Sequence, residues 1–277
     1  MLAPAKVNLW LNVVGRRADG FHLLDSLVAF ADLADEIEAS PSDRLSLTVD
    51  GPFAAALDDE ADNLVLKAAR LLADRAAIAP RVALRLGKHV PVAAGLGGGS
   101  ADAAAVLRTL IDLWRVALPV EELFDLAACL GADVPMCLAG RAALVSGVGE
   151  RLAPAPRLPP CAILLVNPGI PLPTPEVFAR RRGGFSPARP LRPWTDAASF
   201  AATLAEHGND LTDAAIALRP EIARVLAFLR ASEGVLHAAM SGSGATCFAL
   251  YETPQLAERA AGRVPRPWWH HAGTLVG

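Results

Sequence analysis

The residues best suited to chemistry in this 277-residue chain lie in a few short runs. Residues 92–105 read Val-Ala-Ala-Gly-Leu-Gly-Gly-Gly-Ser-Ala-Asp-Ala-Ala-Ala. Glycine adopts positive φ and lets the backbone come close to a ligand. The helix that the alanines begin would offer free N–H groups and the positive end of its dipole. Together these make an anion cradle, and Ser100 adds a hydroxyl for a phosphate or a metal ion. Lys88 lies just upstream, across Pro91. The run is not a Walker A loop, because no Lys-Ser/Thr follows the last glycine, and it is not GxGxxG, because Ser100 takes the last glycine position. A flexible turn into a helix is the competing reading.

The other runs hold an ammonium, a carboxylate and rings. Lys6 and Asn8 flank Val7 and so share one face of a strand. Lys6 is either a functional cation or a solvated lysine. Asp133, in Gly131-Ala-Asp-Val-Pro, is either a catalytic base or a turn or capping residue. The valine before Pro135 is biased toward extended backbone. His22, in Gly20-Phe-His-Leu-Leu, is either functional or a structural loop histidine. Ser241-Gly-Ser-Gly-Ala is either a hairpin turn or a second backbone segment able to approach phosphate.

The elements that must position these residues follow from periodicity. Residues 7–14 alternate, with Val7, Leu9, Leu11 and Val13 on one face, and read as a half-buried strand. Residues 44–50, 81–87 and 162–166 read as further strands, and 235–240 with 246–251 as a closing pair. Helical spacing predicts a helix from about Asp62, its N-cap, with Leu64, Ala68, Leu71, Leu72 and Arg75 at helical spacing, and helices over 103–114, over 121–130 with Gly131 at the C′ position, and near 196–207 and 221–232. Residues 153–160 hold four prolines and read as a linker or domain edge. A second Pro/Arg-rich stretch, 180–193, reads as an exposed loop. The expected class is α+β in two lobes, residues 1–152 and 153–277.

Composition narrows the function. The chain is 53% hydrophobic and 20% charged, enough for a sizeable core, with a formal net charge of -3 at pH 7. A mildly acidic chain without a Lys/Arg block is no nucleic-acid binder, so any bound phosphate must be held locally. The four cysteines form no CxxC pair and read as scattered buried thiols. No basic-then-apolar leader opens the sequence and no apolar stretch reaches membrane-spanning length. The expectation is a cytoplasmic protein with no membrane partner.

Taken in order, three segments resemble the GHMP kinase family, which includes galactokinase and the homoserine, mevalonate and phosphomevalonate kinases. They are Pro4-Ala-Lys-Val-Asn-Leu, the glycine run from Pro91 to Ala104, and Ser241-Gly-Ser-Gly-Ala-Thr. Further signatures are similar to the branch of the family that phosphorylates a cytidine-diphosphate-linked methylerythritol in the non-mevalonate isoprenoid precursor pathway. These are Arg17-Ala-Asp-Gly-Phe-His, Asp62-Asn-Leu, Leu130-Gly-Ala-Asp-Val-Pro, Asn167-Pro-Gly and Asn209-Asp-Leu.

The resemblance implies the two-lobed GHMP fold, with an ATP-binding lobe, a substrate-side lobe and the active site in the cleft between them. It implies ATP as donor, Mg2+ as cofactor, and the methylerythritol 2-hydroxyl as acceptor. Lys6 and Asp133 match the catalytic pair, and Asn8 a substrate contact beside them. Pro91, Gly95, Leu96, Gly97, Gly98, Gly99 and Ser100 match the ATP phosphate loop, and Asn63 and Lys88 adenosine-side contacts. Phe21, His22 and Phe178 match the cytidine pocket, with Gly242 and Ser243 also on the substrate side. Two positions depart from the pattern. Phe21-His22 stands where the family often has Tyr-His, and Ser100-Ala-Asp where many members have Ser-Ser-Asn, so Asp102 adds a negative charge near the phosphates. The alternatives are another GHMP kinase of mevalonate or homoserine type, and a non-catalytic GHMP-like ligand sensor. The Phe21-His22 pair argues against the first, and the presence of both Lys6 and Asp133 against the second.

Overall fold

The structure is a computed structural model and describes residues 1–57, 63–187 and 189–276. In chain order the regular elements are β1 (Leu2–Arg16), β2 (His22–Pro41), β3 (Ser46–Asp50), α1 (Leu64–Arg75), β4 (Val82–Gly87), α2 (Gly98–Trp114), α3 (Val120–Leu130), α4 (Val134–Ala139), β5 (Ala143–Gly147), β6 (Arg151–Pro154), β7 (Ala162–Asn167), α5 (Thr174–Arg180), α6 (Ala197–His207), α7 (Thr212–Leu218), α8 (Glu221–Arg230), β8 (Val235–Met240), β9 (Cys247–Tyr251), α9 (Pro254–Ala261) and β10 (Trp269–Val276). Strands and helices are mixed, as the α+β reading expects.

The chain divides into two compact units that interleave in sequence. Unit 1 comprises Met1–Lys6, Leu33–Val92 and Gly97–Gly140; unit 2 comprises Val7–Asp32, Ala93–Leu96 and Arg141–Gly277. The proline-rich run 153–160 therefore falls inside unit 2, partly as the end of β6.

In unit 1, the second half of β2 pairs antiparallel with β4, Glu36 opposite Gly87 through Pro41 opposite Val82, and β3 joins β4 in parallel. Val82, Leu84 and Leu86 of β4 are buried. Helix α1 packs on α2 through small residues, with Ala68, Ala69 and Ala73 buried on one and Ala101 and Ala103–Ala105 on the other. Alanine at such a seam lets two helices approach closely. Helix α1 starts from Asn63, whose side-chain oxygen accepts the Val65 amide at 2.9 Å; Asp62, the expected cap, lies outside the described residues. Helix α2 begins at Gly98, five residues before the expected start at 103, because Gly97 in the left-handed region (φ 63°) turns the chain directly into it. Gly131 ends α3 with extended backbone (φ 161°), not the left-handed C′ geometry expected. Val134 and Pro135 open α4, where proline's missing N–H leaves no intrahelical bond unmade, so the expected extended bias at Val134 gives way.

In unit 2, the antiparallel order is β10-β7-β9-β8, and β10 also meets β2 at Ala31 and Phe30. All six residues of β7 are buried between β10 and β9, which explains its continuous apolar run. Leu164, Val166, Val225, Leu229, Cys247 and Tyr251 belong to one core cluster. Segment 180–193 begins as the last residue of α5 and continues, where described, as mostly exposed irregular chain. The cysteines are all free, but Cys129 is exposed, against the expectation of four buried thiols. Among the described residues no helix is long and apolar enough to cross a membrane.

Candidate active site

In unit 1, β1 carries Lys6 into the interior, where its side chain is 7% exposed, and its Nζ donates to Asp133 Oδ2 at 2.8 Å. Asp133 stands immediately before α4, at the position of a helix cap, yet its side chain caps nothing and is 47% exposed. The capping reading left open by the sequence therefore does not describe it. A carboxylate held at one oxygen by a buried ammonium, and open to solvent, can accept a proton from an incoming hydroxyl, while the ammonium offsets nearby negative charge.

The glycine loop adjoins this pair. Gly95 (φ 76°) and Gly97 (φ 63°) occupy the left-handed region. The first intrahelical bond of α2 runs from the Ala101 amide to Gly97 C=O, so the amides of 98–100 precede the helix ladder. A Cβ on Gly97 would stand 3.1 Å from Lys6 Cε and 3.2 Å from Lys6 Cβ; one on Gly98 would stand 3.0 Å from Lys88 Nζ. Gly97 and Gly98 are thus each packed closely against a lysine side chain. Pro91 and Leu96 are buried, and Ser100 is half-buried in the first turn of α2.

Lys88 itself is 2% exposed. Its Nζ donates to Asp35 Oδ2 at 2.5 Å and Asp102 Oδ2 at 2.6 Å. Burial would lower its pKa, but the two carboxylates outweigh that and raise it. Burial pushes Asp102 up to about 7, opposed by the Lys88 charge and assisted by that of Asp35. The extra negative charge noted at Asp102 is therefore buried and bonded to Lys88. Asp35 escaped the sequence reading because the strand that carries it was not recognised. Asn63 is buried and its side-chain oxygen is engaged in capping α1.

In unit 2, Asn8 donates its backbone N–H to Ser241 Oγ (3.1 Å) and its Nδ2 to Ser26 Oγ (2.8 Å), while its buried Oδ1 has no partner among the described residues. A Cβ on Gly242 (φ 57°) would lie 3.2 Å from that oxygen. Ser241 Oγ donates to Gly95 C=O at 3.0 Å, and Asn209 Nδ2 to the carbonyls of Met240 and Gly242 at 2.8 Å each. Ser243 Oγ pairs with Thr174 Oγ1 at 2.8 Å. The C-terminal glycine turn is thus tied to Asn8 and to the start of the glycine loop.

His22 stacks on Phe178, ring centroids 5.0 Å apart and 26° between planes. Phe21 is 63% exposed, so the ring that His22 meets is Phe178. Burial, and then the charges of Arg16 and Arg181, lower the His22 pKa, which leaves a neutral imidazole at pH 7 with one donor and one acceptor nitrogen.

The GHMP kinases N terminal domain matches residues 63–141 and the GHMP kinases C terminal domain residues 193–268. The chain is 54% identical over 271 residues to a 4-diphosphocytidyl-2-C-methyl-D-erythritol kinase of Paramagnetospirillum magneticum, covering 96% of this chain and 95% of the relative. It is 50% identical over 282 residues to the kinase of the same name from Rhodospirillum rubrum, covering 99% and 92%. Among solved structures it is similar to a 4-(cytidine 5'-diphospho)-2C-methyl-D-erythritol kinase, with TM-score 0.83 and 40% identity over 100% of this chain and 99% of the other. With both domains of the family matched and half-identical relatives spanning nearly its whole length, the chain belongs to the GHMP kinase family.

Proposed function

We propose that this protein transfers the γ-phosphoryl group of ATP to the 2-hydroxyl of 4-diphosphocytidyl-2-C-methyl-D-erythritol, a step of non-mevalonate isoprenoid precursor synthesis carried out in the cytoplasm. The observation that carries the kinase reading is the Lys6–Asp133 pair at 2.8 Å, with Asp133 half-exposed and free of any capping duty. The substrate reading is supported by the kinase activity for which the relatives are named and by the neutral His22 stacked on Phe178.

The residues fit the donor. Gly95 and Gly97 hold left-handed backbone at the entry to α2, and the amides of 98–100 at its head suit phosphate oxygens. ATP, when bound, would supply the phosphoryl group, and Mg2+ would offset the negative charge of its phosphates. Mg2+ in such sites is held largely by phosphates and water, and the Ser100 hydroxyl is the loop's own oxygen for it. Asp133 takes the proton from the substrate hydroxyl. Lys6 keeps the carboxylate oriented and offsets charge on the transferred group. In unit 2, Asn8 Oδ1, beside Gly242, is an acceptor with no partner among the described residues, placed for a hydroxyl donor. His22 can read the cytosine edge, an amino donor and a ring-nitrogen acceptor, while Phe178 supplies a ring face and exposed Phe21 lies next in the chain.

The test is ADP formation by the purified protein with MgATP and, in parallel, 4-diphosphocytidyl-2-C-methyl-D-erythritol, mevalonate and homoserine. ADP should appear in step with the cytidine substrate alone. Turnover of mevalonate or homoserine, with none of the cytidine compound, overturns the reading, and so does nucleotide binding without turnover of any of the three.

A further inference from the structure

Three ionisable side chains meet in the interior of unit 1. Asp35 of β2, Lys88 just past β4 and Asp102 in α2 have side-chain exposures of 0%, 3% and 3%. Burying charge is costly unless each group is paired and hydrogen-bonded, and the bonds here form a definite pattern. Lys88 Nζ holds Asp35 Oδ2 at 2.5 Å and Asp102 Oδ2 at 2.6 Å. The other oxygen of Asp35 accepts the amides of His89 and Val90, at 2.6 and 2.8 Å. The Lys88 backbone is fixed as well, its N–H donating to Asp50 C=O at 2.7 Å and its C=O accepting the Phe53 amide at 3.2 Å. Segment 88–90 leads into the glycine loop and α2 leaves it. Every bond of the cluster therefore grips one end of that loop or joins the two.

We propose that Asp35, Lys88 and Asp102 form a buried staple that sets the entry and exit of the glycine loop against each other, so that the leading amides of α2 stand in place for the nucleotide phosphates. Lys88 is on this account a positioning residue, not a nucleotide contact. Its ammonium is enclosed by two carboxylates and lies 3.0 Å from the point where a Cβ on Gly98 would project. This inference rests on the reading of the loop as the phosphate site of a kinase. The two arms are unequal. Among the described residues Asp35 takes three hydrogen bonds, whereas Asp102 takes one and its Oδ1 has no partner.

The inequality makes the staple testable. Lys88→Met keeps the length of the side chain and removes its charge. In the folded variant the KM for ATP and the Kd for MgADP should rise about 10- to 100-fold while the KM for the cytidine substrate stays within roughly twofold, the scale of a small misplacement of a binding element. Lys88→Met combined with Asp102→Asn removes one of the two stranded carboxylates and should regain part of the MgADP affinity. A folded Lys88→Met with unchanged ATP KM, or with both KM values raised together, overturns the staple. If Lys88→Met does not fold, Asp35→Asn and Asp102→Asn decide the matter. Asp35→Asn, which loosens the 89–90 amides, must weaken MgADP binding more than Asp102→Asn does, and equal or absent effects overturn it. Because MgADP binding is read directly, a wild-type protein that binds nucleotide but ignores the cytidine substrate would defeat the functional reading and leave the staple test intact.

Discussion

Asp133→Asn replaces one carboxylate oxygen with an amide at the residue before α4, and the geometry sets two separate magnitudes. On the structural side, the Asp133 side chain is 47% exposed and makes no capping bond. What it loses is the charge of its pair with Lys6, and the asparagine oxygen can still accept from Lys6 Nζ. With Lys6 buried and Asp133 half-exposed, the lost charge pairing falls between the about 0–1 kcal/mol of an exposed pair and the roughly 3–5 kcal/mol of breaking a buried one, so the variant should stay folded with a melting temperature lowered by about a few degrees. On the chemical side, loss of a general base lowers turnover by about 10²–10⁴, equivalent to roughly 3–5 kcal/mol of barrier. The assay is kcat from ADP release at saturating ATP and cytidine substrate, with a melting curve and an MgADP titration on the same preparation. The expected result is a melt lowered by no more than that, near-normal MgADP affinity and a collapsed kcat. Turnover within about tenfold of wild type, well short of a general-base contribution, would refute the assignment of Asp133. A loss of activity that merely tracks a loss of fold would refute it equally.

Three further outcomes follow from the same coordinates. Gly97→Ala forces a side chain at φ 63° and sets its Cβ 3.1 Å from Lys6 Cε, so kcat should fall more than MgADP affinity; the reverse order, measured on folded protein, contradicts the packing argument. Phe178→Ala removes the ring under His22 and should raise the cytidine-substrate KM by roughly 10- to 100-fold, the scale of base stacking, with the ATP KM little changed; an unmoved cytidine KM places the base elsewhere. The His22 pKa is lowered from 6.5, so the imidazole is neutral above that lowered value and protonates only below it. The cytidine KM should then rise as the pH falls, with a midpoint below the ordinary imidazole value, a rise that His22→Gln removes; a midpoint at or above the ordinary value would count against the neutral imidazole.

What the sequence determined by itself was local. The glycine loop was legible because glycine's freedom at positive φ and the opening of a helix are properties of a few consecutive residues. The same holds for the helical spacing of α1, α3, α6 and α8, and for the apolar run of β7. Strand β2 was not legible. Its central residues Leu27–Ala31 are buried on both faces and do not alternate, and its pairing partners in β4, β5 and β10 lie far along the chain. Without that strand Asp35 had no place, and the meeting of the Lys88 charge with two carboxylates was out of sight. Lys6 and Asp133 were each visible as candidates, but each had an innocent local reading. Their 2.8 Å bond joins residues 127 positions apart, and only the folded chain removes the capping reading of Asp133. Stacking of His22 on Phe178, with Phe21 left in solvent, is likewise a result of how distant segments pack. Residue type and short-range spacing therefore decide which backbone shapes and reactive groups are available. Which group touches which, and whether a charge is exposed or buried and compensated, depends on burial and long-range pairing that no local window of sequence contains.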